Sequence, residues 1–575
     1  MLALARFGLH IADILVLCLY LLGMVFIGVW TARRIRDSGD FFMPRRFGKV
    51  MMAMFGFGAG THADQAVGVA SKTYSSGLSG IWYQWLWLFV TPFYWLIAPV
   101  MRRFRAITTA DVFEARYNRS VAVLYAVIGM LNLAINIGVM LKGSSAVISA
   151  STGGLLSANV AIAVMTVIFV IYGVAGGLAA AIITDFIQGV LTIAFSFLLL
   201  PLIMNAVGGM DGIRAAVKDP HILSLRSPVE IGIFYIAVIA INGLVGIVTQ
   251  PHTMSNCAAG RTEMDGRAGW MFGNFLKRIC TIPWCLTGLA AIVYFAAAGR
   301  TVEPDAVFGT IAGDFLPKIL PGVLGVFIAA LLASVMSSCD AFMLASSALF
   351  TENIYRPLFP DRPAGHYVTV GRIVAVLVVA AGVFSAYNLS GVVSGLEVFW
   401  KISAMMGIAF WLGLFWRRTT VAGAWTATLI AFGVMVLTGR LNFGRFVLWD
   451  FDARFSGYLP QFMLFEGKLY LPWQMVLYLG GGLIGGIVVS LLTRPVPKDK
   501  LDHFYSLART PVTPGEQVDA PCTLPPGAVV PRRRNFLPNS SLEMPIPTRT
   551  GMVGFLVGWA CVAILIAVVF VIARG

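Results

Sequence analysis

The sequence predicts an all-α polytopic membrane protein with fourteen transmembrane helices. Three observations carry that reading. Of 575 residues, 58% are hydrophobic and only 12% charged, with a mean hydropathy of +0.82. Apolar runs recur along the chain, each long enough to cross a hydrocarbon core of ~30 Å, which takes about 20 residues of helix. The net charge of +15 comes from basic residues gathered at the ends of those runs. The positive-inside rule accounts for most of them, so the charge does not point to a nucleic acid.

Taken in order, the expected segments are 10–32, 48–74, 79–101, 120–150, 156–176, 178–206, 229–256, 267–298, 321–350, 367–388, 393–416, 419–438, 470–493 and 551–573. The first is full length and ends in Arg33 and Arg34, so it reads as a membrane helix and not as a signal peptide. Arg33, Arg34, Arg36, Arg45 and Arg46 follow segment one, and Arg102, Arg103 and Arg105 follow segment three. Arg261 and Arg267 follow segment seven, Arg356 and Arg362 segment nine, and Arg417 and Arg418 segment eleven. These loops share one side if the N-terminus is outside, and an even count returns the C-terminus outside as well. The expectation is a multi-pass protein of the plasma (inner) membrane. Loop 206–228 is the irregular one, external yet bearing Arg214, Lys218 and Arg226. Thr109 to Arg119 reads as a short interfacial helix, and Asp13 as an interfacial charge. The proline-rich stretch 494–548, with Arg532, Arg533 and Arg534 in a row, reads as a partly extended, poorly ordered cytoplasmic connector whose arginines meet lipid headgroups or water. Seven cysteines lie mostly in or beside apolar runs, spaced for neither a disulfide framework nor zinc. No soluble segment carries a nucleophile–base pair, a metal cluster or a phosphate loop, so an enzyme is not expected.

Segment two contains the most informative stretch. Gly56, Gly58 and Gly60 alternate and are followed by His62, Asp64 and Gln65. Each glycine weakens a helix by roughly 1 kcal/mol relative to alanine. Irregular backbone at membrane depth survives only inside protein or along an aqueous cavity. Freed carbonyls there can hold a cation, and the positive end of the following half-helix can face a solute. A glycine packing seam between helices is the competing reading. In segment nine, Ser334, Ser337, Ser338 and Asp340 fall within seven residues, and the three serines share a helical face. Small hydroxyl residues on a membrane helix also serve close packing.

Two motifs resemble the sodium:solute symporter family, which includes transporters of sugars, proline, pantothenate and monocarboxylates. One runs from Tyr172 through Gly176, Gly177, Leu178, Thr184 and Asp185 to Gln188; the other is the run from Ala329 to Ser338. The resemblance covers nearly the whole chain and implies an inverted five-plus-five helix repeat. It divides the chain into 1–46 (first helix and loop), 47–206 (first repeat), 207–228 (external loop), 229–418 (second, inverted repeat), 419–493 (two accessory helices), 494–548 (connector) and 549–575 (last helix). It also implies sodium as coupling ion, held by backbone carbonyls of Gly58, Thr61 and Ser334 and the hydroxyls of Ser337 and Ser338. Neutral oxygens suit a hard monovalent cation, where an all-carboxylate cage would suit a divalent one. Asp185 matches an aspartate on the ion's path inward, and a carboxylate at a helix end is the alternative.

For the solute, the resemblance points to Asp64, Gln65, Tyr83, Gln84, Asn242 and Gln250. The positions of the sugar-transporting members' asparagine and tyrosine in segment seven are Val245 and Ile247 here, which speaks against a hexose held in their mode. Gln250-Pro251-His252-Thr253-Met254 is instead similar to the pantothenate and monocarboxylate branches, although Asn256 replaces their arginine. Lys142, Glu397 and Lys401 are expensive in lipid and should face the bundle interior. Glu397 and Lys401 stand four apart and can neutralise each other. Lys142 pairs with Asp64 or Glu397, or meets an anionic solute. The expected activity is sodium-driven symport of a small polar organic solute, with a carboxylate among the candidates. Its partners would be that solute and lipid, with no nucleic acid and no obligate protein. The alternatives are a proton-coupled or ion-independent transporter, motivated by His62 and Asp64, and a membrane sensor.

Overall fold

The computed structural model describes residues 9–32, 43, 45–227, 230–443, 446–513, 515–516 and 520–574. Arg33, Arg34 and Arg36 lie outside the described residues, as do the side chains of residues 172–177, 179 and 180 in the Tyr172–Gln188 motif. In hydrocarbon the backbone must satisfy its own hydrogen bonds, and helix dominates accordingly. The principal helices are α1 (Ile11–Ala32), α2 (Lys49–Gly58), α3 (Ala63–Ser76), α4 (Thr91–Arg103), α5 (Thr109–Arg116), α6 (Arg119–Ser151) and α7 (Ala158–Leu198). They continue with α8 (Ile233–Ile247), α9 (His252–Ala258), α10 (Glu263–Ala297), α11 (Val323–Phe350), α12 (Ala364–Asn388) and α13 (Val392–Phe415). The last are α14 (Val421–Leu437), α15 (Leu471–Leu492), α16 (Lys498–Arg509) and α17 (Arg549–Arg574).

Among the described residues, eight helices are long and apolar enough to cross a bilayer, and the bent pair α8–α9 makes a ninth. Helix also fills the other five expected segments over shorter or interrupted runs: α1, α2 with α3, Trp82–Trp85 with α4, the first part of α7, and α14. Segments five and six are not separated at Gly176 and Gly177 as the pattern predicts. Helical bonding continues through them as α7, whose 41 residues span ~60 Å at 1.5 Å each. About 1 kcal/mol per glycine does not end a helix packed against α1, α6 and α11. Segment 438–470 departs from all-α with two small antiparallel hairpins, Arg440–Phe443 with Phe446–Asp450 and Leu464–Phe465 with Lys468–Leu469. The second turns through Glu466 and Gly467, both at positive φ (49° and 76°), which suits a two-residue hairpin turn.

Two layers of contacts define the ends of the bundle. At one end Arg103 forks onto Glu263 (2.8 and 2.9 Å), Thr108 Oγ1 donates to Asn353 Oδ1 (2.7 Å), and Arg116 donates to the carbonyls of Gly413 and Trp416. The loops after segments three, seven, nine and eleven therefore share an end, as the basic pattern requires. At the other end Lys72 pairs with Glu230, Trp82 Nε1 donates to the carbonyl of Leu225, and Arg214 donates to the carbonyl of Ile572. Arg214 thus satisfies last-turn carbonyls of α17, a structural use for one of the basic residues that made loop 206–228 irregular. Asp13 is not merely interfacial. It is buried and accepts from Gly325 N at 2.7 Å, where a negative charge favours the start of α11.

The connector differs most from expectation. Residues 498–509 form α16, whose apolar face of Leu501, Phe504, Tyr505 and Leu507 is buried. Beyond it, Arg105 forks onto Glu516 (2.8 and 3.0 Å) in a buried pair, and Arg417 bridges Asp502 (2.8 Å) and Glu543 (2.5 Å). Arg533, read as lipid-facing or solvated, instead donates to the carbonyls of Pro538, Ser540 and Leu542. Composition predicted a loose segment because proline favours extended backbone. The same stiffness lowers the entropy lost when the segment docks.

Candidate cation and solute sites

The break in segment two runs from Ala59 to His62, between α2 and α3. Its three alternate glycines do different work. A Cβ on Gly56 would stand 3.2 Å from the carbonyl oxygen of Gly269 on α10, so this glycine belongs to a packing seam. A Cβ on Gly58 would stand 2.8 Å from Ser337 Oγ and 3.4 Å from Asp185 Cβ, so this one leaves room between three helices. Gly60 presents its carbonyl to Lys277 Nζ. The stretch thus packs against α10 at Gly56 and lets α7 and α11 approach at Gly58.

Helix α11 lays its serines against this break. Ser338 Oγ donates to the carbonyl of Gly58 at 2.9 Å and approaches that of Ser334 at 3.4 Å. Ser337 Oγ donates to Asp185 Oδ1 at 2.5 Å, joining α7 to the same point. Thr61 N donates to the Gly58 carbonyl at 3.2 Å. Gly58, Thr61, Ser334, Ser337, Ser338 and Asp185 are all buried. Thr61 Oγ1 and Asp185 Oδ2 have no hydrogen-bond partner, an arrangement that leaves oxygen lone pairs turned inward. Every donor here is oxygen, which suits a hard cation and not a soft one. The residues fit sodium. Asp185, expected along the ion's path, is hydrogen-bonded to one of the expected ligands. No group of three or more His, Cys, Asp or Glu residues able to hold a metal occurs among the described residues.

Segment seven is broken too, which the sequence reading did not foresee. α8 and α9 meet at 71° across Val248–Pro251. Pro251 lacks an N–H and disfavours helix at the residue before it, a signal that was present. Thr253 Oγ1 caps the carbonyl of Ile247 (2.8 Å), and Thr249 Oγ1 donates to that of Ser403 (2.7 Å). The two breaks border one narrow cavity of about 40 Å³. His62, Gln65, Gln84, Gln250, His252 and Asn256 supply polar lining, and Trp87, Tyr94, Phe342, Phe399 and Trp400 supply aromatic walls.

Of the six expected solute residues, Gln65, Gln84 and Gln250 line the cavity. Asp64, Tyr83 and Asn242 stand behind it. Asp64 is bonded to His62 Nδ1, and His62 Nε2 meets Gln65 Nε2 at 3.0 Å. A Cβ on Gly143 would fall 2.6 Å from Asp64 Cβ, so α6 closes on that carboxylate from the other side. Tyr83 Oη donates to Glu397 (3.1 Å). Asn242 is occupied at both ends, donating to the Trp400 carbonyl (3.2 Å) and accepting from Tyr478. The expected pairing of Lys142 with Asp64 or Glu397 is not formed; His62 bonds Asp64 and Tyr83 bonds Glu397 instead.

Sequence reasoning passed over Lys277 and Arg278 of α10. Both are buried and both line the cavity. Lys277 Nζ donates to the carbonyl of Gly60, at the carboxyl end of α2, and Arg278 donates to the carbonyl of Gln84 (3.2 Å). Two adjacent basic residues well inside an apolar segment were signal enough.

A family model described as "Sodium:solute symporter family" matches residues 41–431. Among curated proteins, the chain is 26% identical over 460 residues to a sodium/glucose cotransporter of Vibrio parahaemolyticus, covering 72% of this chain and 83% of that one. It is 26% identical over 510 residues to an osmoregulated proline transporter of Bacillus subtilis (84% and 96% covered). A sodium/pantothenate symporter of Haemophilus influenzae is 25% identical over 438 residues (72% and 87% covered). Among solved structures, a substrate-bound, outward-open Na+-coupled sialic acid symporter aligns with a TM-score of 0.67 at 19% identity, covering 85% of this chain and 99% of that one. A nucleobase-cation-symport-1 family transporter aligns at 0.50 and 12% identity (81% and 99% covered). At these identities the two structures speak for the fold alone.

Proposed function

This chain belongs to the sodium:solute symporter family, and on that premise we propose that it carries a small polar organic solute across the plasma membrane with sodium, by alternating access. The observation that carries the reading is the approach of Ser338 Oγ to the Gly58 carbonyl (2.9 Å), with Ser337 beside it on Asp185 (2.5 Å). Sodium would sit between the break in segment two and α11, on the carbonyls of Gly58, Thr61 and Ser334 and the hydroxyls of Ser337 and Ser338, with Asp185 alongside. Gln65, Gln84 and Gln250 would touch the solute, while Asp64, Tyr83 and Asn242 hold the cavity's walls from behind. Fourteen membrane helices in two inverted sets of five, with four outside the repeat, are part of the proposal. Breaks in segments two and seven, the first of each set, support it. Both termini are placed outside and the connector inside, since the basic loops gather at the connector's end. The partners are solute and lipid.

Thermal stability of the purified protein in sodium, against potassium or choline at equal ionic strength, tests the reading. A ligand at 100 times its dissociation constant stabilises by ~2.7 kcal/mol in the linkage limit. A sodium-specific rise in the wild type that is lost in the Ser337→Ala, Ser338→Ala double variant is the expected result. Sodium indifference together with a shift on lowering pH would favour a second reading, proton coupling through the buried His62–Asp64 pair.

A further inference from the structure

Lys277 is the cavity group that the sodium reading leaves unused. Its Nζ stands at the carboxyl end of α2, on the carbonyl of Gly60, inside a wall that contains no aspartate or glutamate. Among the described residues no carboxylate lies within 4 Å of it; Asp64, whose Oδ1 is bonded to His62 and whose Oδ2 has no partner, acts on it from farther away. A lysine carries three donor hydrogens, and the Gly60 carbonyl takes one. Beside it, Arg278 adds a second buried cation whose Nε has no partner. A buried ammonium without an ionic partner is costly, and an anion entering the cavity would remove that cost. The same cavity has aromatic walls, including Phe399 and Trp400.

Resting on the symport reading, we propose that the solute is an organic carboxylate, its carboxylate received by Lys277 at the break in segment two and its remainder held against Phe399 and Trp400. The site would discriminate against a neutral analogue because a charge-assisted hydrogen bond is about twice as strong as a neutral one. Rejection of polyols follows from the same chemistry, since hydroxyl groups leave the ammonium without a counter-charge.

The test is thermal stabilisation of the full chain, in sodium, by lactate, benzoate and phenylacetate, each paired with its amide and set against glucose. The expected result is that at least one carboxylate stabilises the wild type, with its amide weaker by about tenfold or more. Lys277→Met should weaken that carboxylate by a similar factor without affecting the amide. Lys277→Arg, which keeps a cation, should retain part of the binding. Stabilisation by glucose but by no carboxylate overturns the inference, as does an amide that binds as well as its acid. A sodium-specific rise with no effect from any carboxylate also overturns it and leaves the symport reading standing. Loss of the sodium response itself, with carboxylates still binding through Lys277, would contradict the coupling and not the inference. If Lys277→Met does not fold, the comparison of acid with amide on the wild type decides alone.

Discussion

A methyl group added at Gly58 would lie 2.8 Å from Ser337 Oγ, whereas one at Gly23 on α1 would meet nothing within 4 Å. Gly58→Ala should therefore reduce sodium affinity by about tenfold or more, read as the sodium concentration needed for half-maximal stabilisation. Gly23→Ala should leave it unchanged and at most firm the helix by a few tenths of a kcal/mol. Equal behaviour of the two variants would remove Gly58 from the site. Residues of this kind were legible in the sequence because chemistry and context clash there: glycines beside His62 and Asp64, and serines with Asp340 in an otherwise apolar run. Where a residue's role depends on a distant partner, the sequence was silent. Asn242 looks like a solute ligand until Tyr478, 236 positions away, is found on its amide oxygen. Lys277 stands out as a charge inside an apolar run, but only the packing of α10 shows that it reaches the cavity.

At the scale of elements, the docked connector makes the sharpest prediction. Arg105 and Glu516 are nearly inaccessible (0% and 5%), so removing one partner strands a buried charge and should cost ~3–5 kcal/mol. Glu516→Ala should lower the apparent unfolding temperature clearly, while Asp314→Ala, which breaks the half-exposed pair with Arg300, should barely move it. Similar shifts would mean that the connector is not fastened as described. A second prediction concerns pH. Burial pushes the Glu543 carboxyl up, but hydrogen bonds from Arg417 and Asn535 outweigh it and hold it below the ordinary glutamate value. A carboxyl depressed in the folded state contributes stability that is full above its unfolded value and lost as pH falls through the folded one. Glu543→Gln should thus weaken the protein at neutral pH and flatten its acid loss below about pH 4.5. An unchanged acid limb would contradict the assignment. Helix α16 was readable from Leu501, Phe504 and Tyr505 at spacings of three and one, but the prolines around it drew the reading toward disorder. The bend at Pro251 is likewise readable from its missing N–H.

For the whole molecule, the ion and the solute together decide the energetics. One sodium entering down ~100 mV releases ~2.3 kcal/mol, and each tenfold concentration gradient adds ~1.4 kcal/mol. A neutral solute carried with one sodium would draw on both. A carboxylate anion carried with one sodium moves no net charge and draws on the concentration gradient alone. The account predicts that collapsing the membrane potential leaves accumulation of the carboxylate in proteoliposomes unchanged. A fall of about fiftyfold, the equivalent of ~2.3 kcal/mol, would require a neutral solute or a second sodium. Composition made the membrane class and the distribution of basic loops legible, because every apolar segment obeys the same bilayer thickness. It did not reveal that α7 runs unbroken through Gly176 and Gly177, since packing decides that and not propensity. The most direct measurement is equilibrium binding of radioactive sodium to the purified protein, wild type beside the Ser337→Ala, Ser338→Ala double variant. The account predicts saturable binding in the wild type that the variant loses. Binding that survives both substitutions, or none that saturates in the wild type, would contradict it.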